Sequence, residues 1–344
     1  MLTIDGSYGE GGGQILRTSA SLAAITGQAV RIVGVRAGRA QPGLKAQHLT
    51  AIEAAMRVSH GHVEGGHVGS TEVTLTPGAP VQPGRYEFEI GTAGSTTLVL
   101  QTVLLPLLLA GEDSHVIIGG GTHNPNAPST DYLGHTFLSA SGLPLDLTVE
   151  RTGFFPRGGG RISAALRPAP LAPIHRTERG ARTLLTAIVT VSDTLPAHIL
   201  DRAQSEIETR ANSAGWPLRI VLSPVPTSSP GMAIHLDAAY SSGTGGFTGL
   251  GRKGLSTERV IEETWREFEA FDRTDAVVDE HLADQLILPA LFAQGRSEYR
   301  TNRVTEHLRT MGWLVPQFGV GEVTIDEAAG LVRVDPSLRD ARSV

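Results

Sequence analysis

The 344 residues contain no cysteine. That excludes a disulfide framework, thiolate zinc sites and a cysteine nucleophile, and it fits an intracellular protein. Aromatic residues are scarce, at 5%. An excess of positive charge is also missing: 29 Lys and Arg face 35 Asp and Glu, for a net charge of -6. That argues against a broad cationic surface for nucleic acid, and any nucleic-acid contact must be local, through clustered arginines. The charge by itself suits an ordinary soluble cytoplasmic enzyme. Long hydrophobic runs are lacking as well. The most apolar stretch, Gly94 to Ala110, is interrupted by Gln101, Thr102 and Pro106 and falls short of the ~20 apolar residues of a membrane span. It reads as a buried core helix kinked near Pro106, and no membrane partner is expected. The opening residues have no basic and apolar leader pattern, so no secretory signal is expected. Two nucleotide signatures are missing too. No Gly-Lys-Ser/Thr follows the first glycine-rich loop, and no Lys-x-Asp-Gly motif marks a lysine adenylate.

What the chain has in plenty is glycine. Its 41 glycines exceed the ~7% of an average protein, which implies many tight turns or places where backbone approaches a ligand. An apolar content of 40% suffices for a sizeable core, and the length suggests about two or three domains. A short strand at residues 1–5 leads into a glycine-rich turn, then a helix at Ile15–Thr26, a strand at 29–35 and a helix at Lys45–Ser59. Strands follow near 71–76 and 86–90, then the apolar helix, a strand at Ser114–Gly119 and a helix near Thr130–Ser141. A basic, glycine-rich turn spans Arg151–Arg161. The stretch 181–275 changes character: strand, helix, three strands and an amphipathic helix carrying Val260, Ile261, Trp265 and Phe268 on one face. It reads as an inserted small α/β domain. The remainder, 1–180 and 276–344, reads as a large domain, with a helix at His281–Ala293, a strand near 298–302, a helix holding His307 and two final strands. Its elements repeat a strand–helix–strand–helix–strand–strand order.

Three patches carry candidate chemistry. Gly9-Glu10-Gly11-Gly12-Gly13-Gln14-Ile15-Leu16-Arg17 places a flexible turn, one carboxylate and one arginine at a helix start. Unpaired N–H groups there suit phosphate, and Glu10 is a hard oxygen ligand for a divalent cation; a purely structural turn is the other reading. Arg36-Ala37-Gly38-Arg39-Ala40-Gln41-Pro42-Gly43-Leu44-Lys45 offers guanidinium forks for phosphate oxygens, or simply a solvated charged face. His307, in Thr305-Glu306-His307-Leu308-Arg309-Thr310, offers an imidazole that is nucleophilic near neutral pH, or an ordinary surface histidine.

Together with Gly91-Thr92-Ala93-Gly94-Ser95, the Gly120–Pro128 loop and Leu282-Ala283-Asp284-Gln285-Leu286, these patches resemble the RNA 3'-terminal phosphate cyclase family, in the same order from Gly9 to Thr310. The resemblance implies an α+β fold: a large domain of three repeated βαβαββ-type units, similar to the carboxyvinyl-transferase group, with an inserted small domain at about 181–275. It implies ATP-dependent conversion of an RNA 3'-phosphate to a 2',3'-cyclic phosphate through a histidine–AMP and an RNA–phosphate–phosphate–adenosine intermediate. His307 matches the adenylated histidine and Glu10 the ligand of a divalent metal, Mg or Mn. Gln14, Arg17, Arg36, Arg39 and Gln47 match positions near the phosphates and the RNA end; Gln101, Pro128, Asp284 and Gln285 match residues around ATP. His281 stands where some relatives carry tyrosine, and is expected at the nucleotide. The implied partner is RNA with a 3'-phosphate, with other phosphorylated nucleic-acid ends as further candidates. A non-catalytic branch acting in ribosome assembly lacks the histidine, so His307 and Glu10 favour the enzyme. A carboxyvinyl transferase would bind phosphoenolpyruvate, which the Arg-Ala-Gly-Arg loop does not suggest.

Overall fold

The computed structural model describes residues 1–337. The chain opens with β1 (Leu2–Asp5), α1 (Gly13–Thr26), β2 (Val30–Val33), α2 (Ala46–Val58), β3 (His62–Glu64) and β4 (Val73–Thr76). Next come β5 (Arg85–Glu89), α3 (Thr96–Leu109), β6 (Ser114–Gly120), a π-helical segment (Tyr132–Phe137) running into α4 (Leu138–Ser141), β7 (Leu145–Arg151) and β8 (Gly160–Leu166). After β9 (His175–Arg176) the chain forms β10 (Arg182–Ser192), α5 (His198–Ala214), β11 (Leu218–Val225), β12 (Met232–Tyr240), β13 (Thr244–Leu250) and α6 (Thr257–Asp272). It closes with α7 (Leu282–Gln285), α8 (Ile287–Leu291), β14 (Ser297–Arg300), α9 (Glu306–Leu314), β15 (Gly321–Asp326) and β16 (Leu331–Pro336).

The strands form four four-stranded sheets. Three have the orders β1-β2-β4-β3, β5-β6-β8-β7 and β9-β14-β16-β15. In each, the first pair is parallel and the other two are antiparallel. The parallel pairs need crossover helices, supplied by α1, α3 and the α7–α8 segment. The fourth sheet, β11-β10-β12-β13, lies between β9 and α7 in sequence. Residues 185–276 enclose their own apolar cluster, with Trp216, Trp265, Phe268 and Phe271 at its centre. Burying side chains of that size contributes roughly 1.5–3 kcal/mol each.

Local chemistry explains the elements that position the site. Ser95 caps α3, its Oγ accepting from Leu98 N–H at 3.3 Å; Thr305 caps α9, its Oγ1 accepting from Leu308 N–H at 3.1 Å. Such caps satisfy otherwise orphaned first-turn donors. The apolar helix α3 is buried nearly all round and packs on α1, α2 and β6. No helix among the described residues is long and apolar enough to cross a membrane.

Two expectations are corrected. The segment expected as one helix over 281–293 is divided at Leu286 into α7 and α8, because Pro289 supplies no N–H for the Gln285 carbonyl. The helix expected near Thr130–Ser141 widens into π-helical turns over Tyr132–Phe137. The widened turns let Tyr132 and Thr136 both reach the fourth sheet's surroundings. Tyr132 Oη donates to Asp279 Oδ1 at 3.0 Å, and Thr136 Oγ1 donates to Asp237 Oδ1 at 2.8 Å.

Candidate active site

The turn between β1 and α1 is shaped by glycines in the left-handed region, Gly9 at φ 57° and Gly11 at φ 53°. α1 begins at Gly13, and its N-cap, Gly12, supplies no capping side chain. A Cβ on Gly9 would lie 2.7 Å from Thr310 Oγ1, so the turn abuts α9. Tyr8 stacks on Trp313 of α9, ring centroids 3.9 Å apart and planes at 9°. Thr18 of α1 contacts Met311 Sδ at 3.4 Å. The glycine turn and α1 are thereby fixed to α9.

That junction brings three expected residues around one oxygen. Glu10 Oε2 accepts from Arg39 Nη2 at 2.8 Å and lies 3.4 Å from His307 Nε2. All three side chains are half exposed, accessible to a ligand. Burial of part of its ring lowers the His307 pKa, and Arg17, His281 and Arg39 push the same way, against Glu10. From an ordinary value near 6.5, the shift keeps the imidazole neutral at pH 7.

Behind this trio, Arg17 makes no ion pair among the described residues, and burial lowers its pKa to about 10. Gln14 Nε2 donates to Asp284 Oδ2 at 2.8 Å. Burial raises the Asp284 pKa to about 7, offset in part by His281 and Arg17. Its neighbour Gln285 accepts from Gln101 Nε2 at 2.7 Å and donates to the His281 carbonyl at 2.9 Å. Gln14, Gln101, Asp284 and Gln285 thus form one amide and carboxyl wall linking α1, α3 and α7. The His281 side chain is exposed at its edge. Pro128 is tied in through its carbonyl, which accepts from Thr97 Oγ1 of α3 at 2.7 Å. Gln47 Oε1 accepts from Ser95 N–H at 3.1 Å, placing Gln47 at the start of the same helix.

Arg36 differs from a simple phosphate fork. Its φ is 54°, it is almost fully buried, and its Nη1 donates to the Gln41 and Gly43 carbonyls at 2.8 Å each. Arg36 braces the loop that presents Arg39. Sequence reasoning missed His48. Its Nδ1 accepts from Lys45 N–H at 3.2 Å, and its ring fills the space a Cβ on Gly13 would need. Burial, with Arg17, Arg36 and Lys45 nearby, lowers its pKa to about 3. The available signal was the pairing of a Cβ-free position in the first turn of α1 with a histidine among cations. Tyr8 and Trp313 were missed too, because their stacking joins distant segments.

No group of three or more His, Cys, Asp or Glu side chains among the described residues is placed to hold a metal. Glu10 offers a single carboxylate. That fits Mg²⁺, which often takes one or two carboxylates and completes its shell with water and substrate phosphates.

A family model described as RNA 3'-terminal phosphate cyclase matches residues 8–325. The chain belongs to that family. A relative from Nostoc sp., named RNA 3'-terminal phosphate cyclase, is 42% identical over 98% of this chain and 99% of its own length. Another of the same name, from the archaeon Archaeoglobus fulgidus, is 40% identical over 92% of this chain and 95% of its own. A solved EPSP synthase from Acinetobacter baumannii aligns over 98% of this chain at 12% identity and a TM-score of 0.40. The chain spans 48% of that structure, and the assignment to the cyclase family does not lean on it. The cyclase match runs through the glycine turn, the Arg36–Lys45 loop, α7 and α9, the four segments that meet at Glu10, Asp284 and His307.

Proposed function

We propose that this chain is an ATP-dependent RNA 3'-phosphate cyclase that forms a 2',3'-cyclic phosphate through a histidine–AMP intermediate. The observation that carries the reading is the neutral His307 imidazole, half exposed beside Glu10 and Arg39. An imidazole nitrogen attacks the α-phosphorus of ATP and pyrophosphate leaves. An oxygen of the RNA 3'-phosphate then attacks the His307-bound phosphorus, releasing the imidazole and giving an RNA–phosphate–phosphate–adenosine end. The vicinal 2'-OH attacks the activated RNA phosphorus, loses its proton, and AMP departs. This last step is intramolecular, and orientation of that kind can supply up to roughly 7–11 kcal/mol. The 2'-OH makes RNA the substrate for cyclisation.

Arg39 and Arg17 supply charge for the phosphates, and Gln14 and Gln47 orient them. Arg36 contributes by holding the Arg39 loop. Gln101, Pro128, Asp284 and Gln285, with His281 at the edge, would line the adenosine side. Glu10 would hold a divalent Mg or Mn, which when bound neutralises phosphate charge; phosphate and metal would then take over the partners that Arg39 and Glu10 now give each other. We read residues 181–275 as an inserted small domain in a large domain of three βαβαββ units, 1–180 and 276–344, of the carboxyvinyl-transferase type, in a cytoplasmic enzyme. The three sheets of equal strand order support this.

The test is incubation with α-labelled ATP and a divalent metal, followed by denaturing electrophoresis. Acid-labile label is expected on the wild type and absent from His307→Ala. Label retained on the variant, or no label on the wild type, would refute the reading.

A further inference from the structure

The basic, glycine-rich turn between β7 and β8 is not used by the chemistry above. It holds the one exposed phenylalanine of the chain's nine: Phe155 is 64% accessible, whereas its neighbour Phe154 is buried at 4%. An exposed aromatic on a pliable loop would mean little, but this turn is held on three sides. The Phe154 ring lies against His123, centroids 5.1 Å apart, and over Gly231, where any Cβ would collide with it. Arg157 N–H donates to Ser229 Oγ at 3.2 Å, and Arg157 Nη1 donates to the Ser228 carbonyl at 3.2 Å. Ser228 Oγ donates to the Gly158 carbonyl, also at 3.2 Å. Gly158, at φ 67°, is pressed against Ala93, where a Cβ would lie 2.7 Å from Ala93 Cα.

The turn is also next to the candidate active site. Ala93 is followed by Gly94 and Ser95, and both touch Gln47: a Cβ on Gly94 would lie 2.8 Å from Gln47 Cβ, and Ser95 N–H donates to Gln47 Oε1 at 3.1 Å. Charge separates the turn from an ordinary apolar patch. Arg161, at its far end, is neutralised by Glu87, Glu89 and Glu150. Arg151 and Arg157 are exposed, and their guanidinium groups bond only to backbone carbonyls and have no acidic partner among the described residues. Two guanidinium groups without acidic partners, on the same held turn as an exposed ring, suit a base stacked on that ring and the phosphates beside it.

We propose that Phe155, with Arg151 and Arg157, is a stacking platform for the single-stranded RNA upstream of the 3'-phosphate. The inference rests on the cyclase reading for the RNA end. It adds the place where the strand leaves the site, and a preference for longer ends regardless of sequence, since every base has a stacking face.

The test measures binding and chemistry separately. Anisotropy with a labelled, 3'-phosphorylated RNA of about 12 nucleotides should show Phe155→Ala binding ~10-fold more weakly than wild type, the size of one lost base stack. Phe155→Tyr should match wild type. Arg157→Gln should reduce the salt dependence of binding by about one charge. AMP labelling should be unchanged in Phe155→Ala, and so should KM for a 3'-phosphorylated dinucleotide, too short to use the platform. Equal RNA affinity for Phe155→Ala and wild type overturns the proposal and leaves Phe155 as a contact for another protein. Full affinity in Phe155→Leu, or an equal loss on the dinucleotide, overturns it as well. Because anisotropy does not require turnover, a wild type that takes no AMP label defeats the cyclase reading while the platform result still stands or falls by itself.

Discussion

At the scale of single residues, His307 is governed by the charges that meet it. Glu10 raises its pKa, whereas burial, Arg17, His281 and Arg39 lower it, and lowering wins. In the proposed reaction the neutral ring is the nucleophile, so a depressed pKa would extend the active range toward acid. An NMR titration of the histidines should place His307 below the ordinary value near 6.5. Glu10→Gln removes the raising charge and should move the midpoint lower still; Arg39→Gln removes a lowering charge and should move it up. Shifts of the same sign in both variants would contradict this account. The sequence offered Glu10, Arg39 and His307 as candidates, yet no spacing along the chain could say that they share one carboxylate oxygen. Arg36 was legible as a cation but not as a brace, because its two carbonyl partners depend on the path of the loop.

At the scale of elements, the glycine turn and α9 act as one joint. Gly9 is left-handed and its missing Cβ makes room for Thr310 Oγ1. Gly9→Ala therefore carries two penalties, a backbone term of about 1 kcal/mol or more and a clash. Thr310→Ala removes the clashing oxygen but not the backbone term. The double variant should therefore melt higher than additivity of the two single variants predicts, while remaining below wild type. Strict additivity in thermal unfolding would show that the two sites do not touch. AMP labelling should fall with Gly9→Ala, since the same contact sets the approach of His307 to Glu10. Most strands and the long helices were readable from alternation and apolar spacing; the short strands β3 and β9, the π-helical turns and the break at Leu286 were not. The break follows from Pro289, and the widened turns from tertiary partners at Asp237 and Asp279.

At the scale of the whole molecule, buried neutral histidines tie stability to pH. His235 bridges Thr136 and Thr248, linking the π-helical segment to the fourth sheet. Burial lowers the His235 pKa to about 4, and the His48 pKa is lowered to about 3. A histidine depressed in the folded state takes up its proton more readily when unfolded. The stabilisation it permits is therefore present above about pH 6.5 and is lost as pH falls toward the folded values. Each group accounts for on the order of 3 kcal/mol across that window. Denaturant unfolding should show stability dropping between pH 6.5 and 4, and His235→Gln should flatten the slope. An unchanged slope would show that His235 takes up its proton equally in the folded and unfolded states, against the burial argument.

What the sequence determined by itself is local or ordered: which glycines can turn, which hydroxyls cap helices, which faces are apolar, and the succession of motifs that marks the family. These depend on backbone sterics, hydrogen bonds between near neighbours and periodic burial, all of which are written within a few residues. Tertiary structure alone decided that Glu10, Arg39 and His307 converge, that Arg36 turns inward and that His48 is enclosed among cations. It also decided that Phe155 faces solvent while Phe154 does not. Those outcomes depend on contacts between segments far apart in the chain, where packing and desolvation fix each side chain's partners and charge.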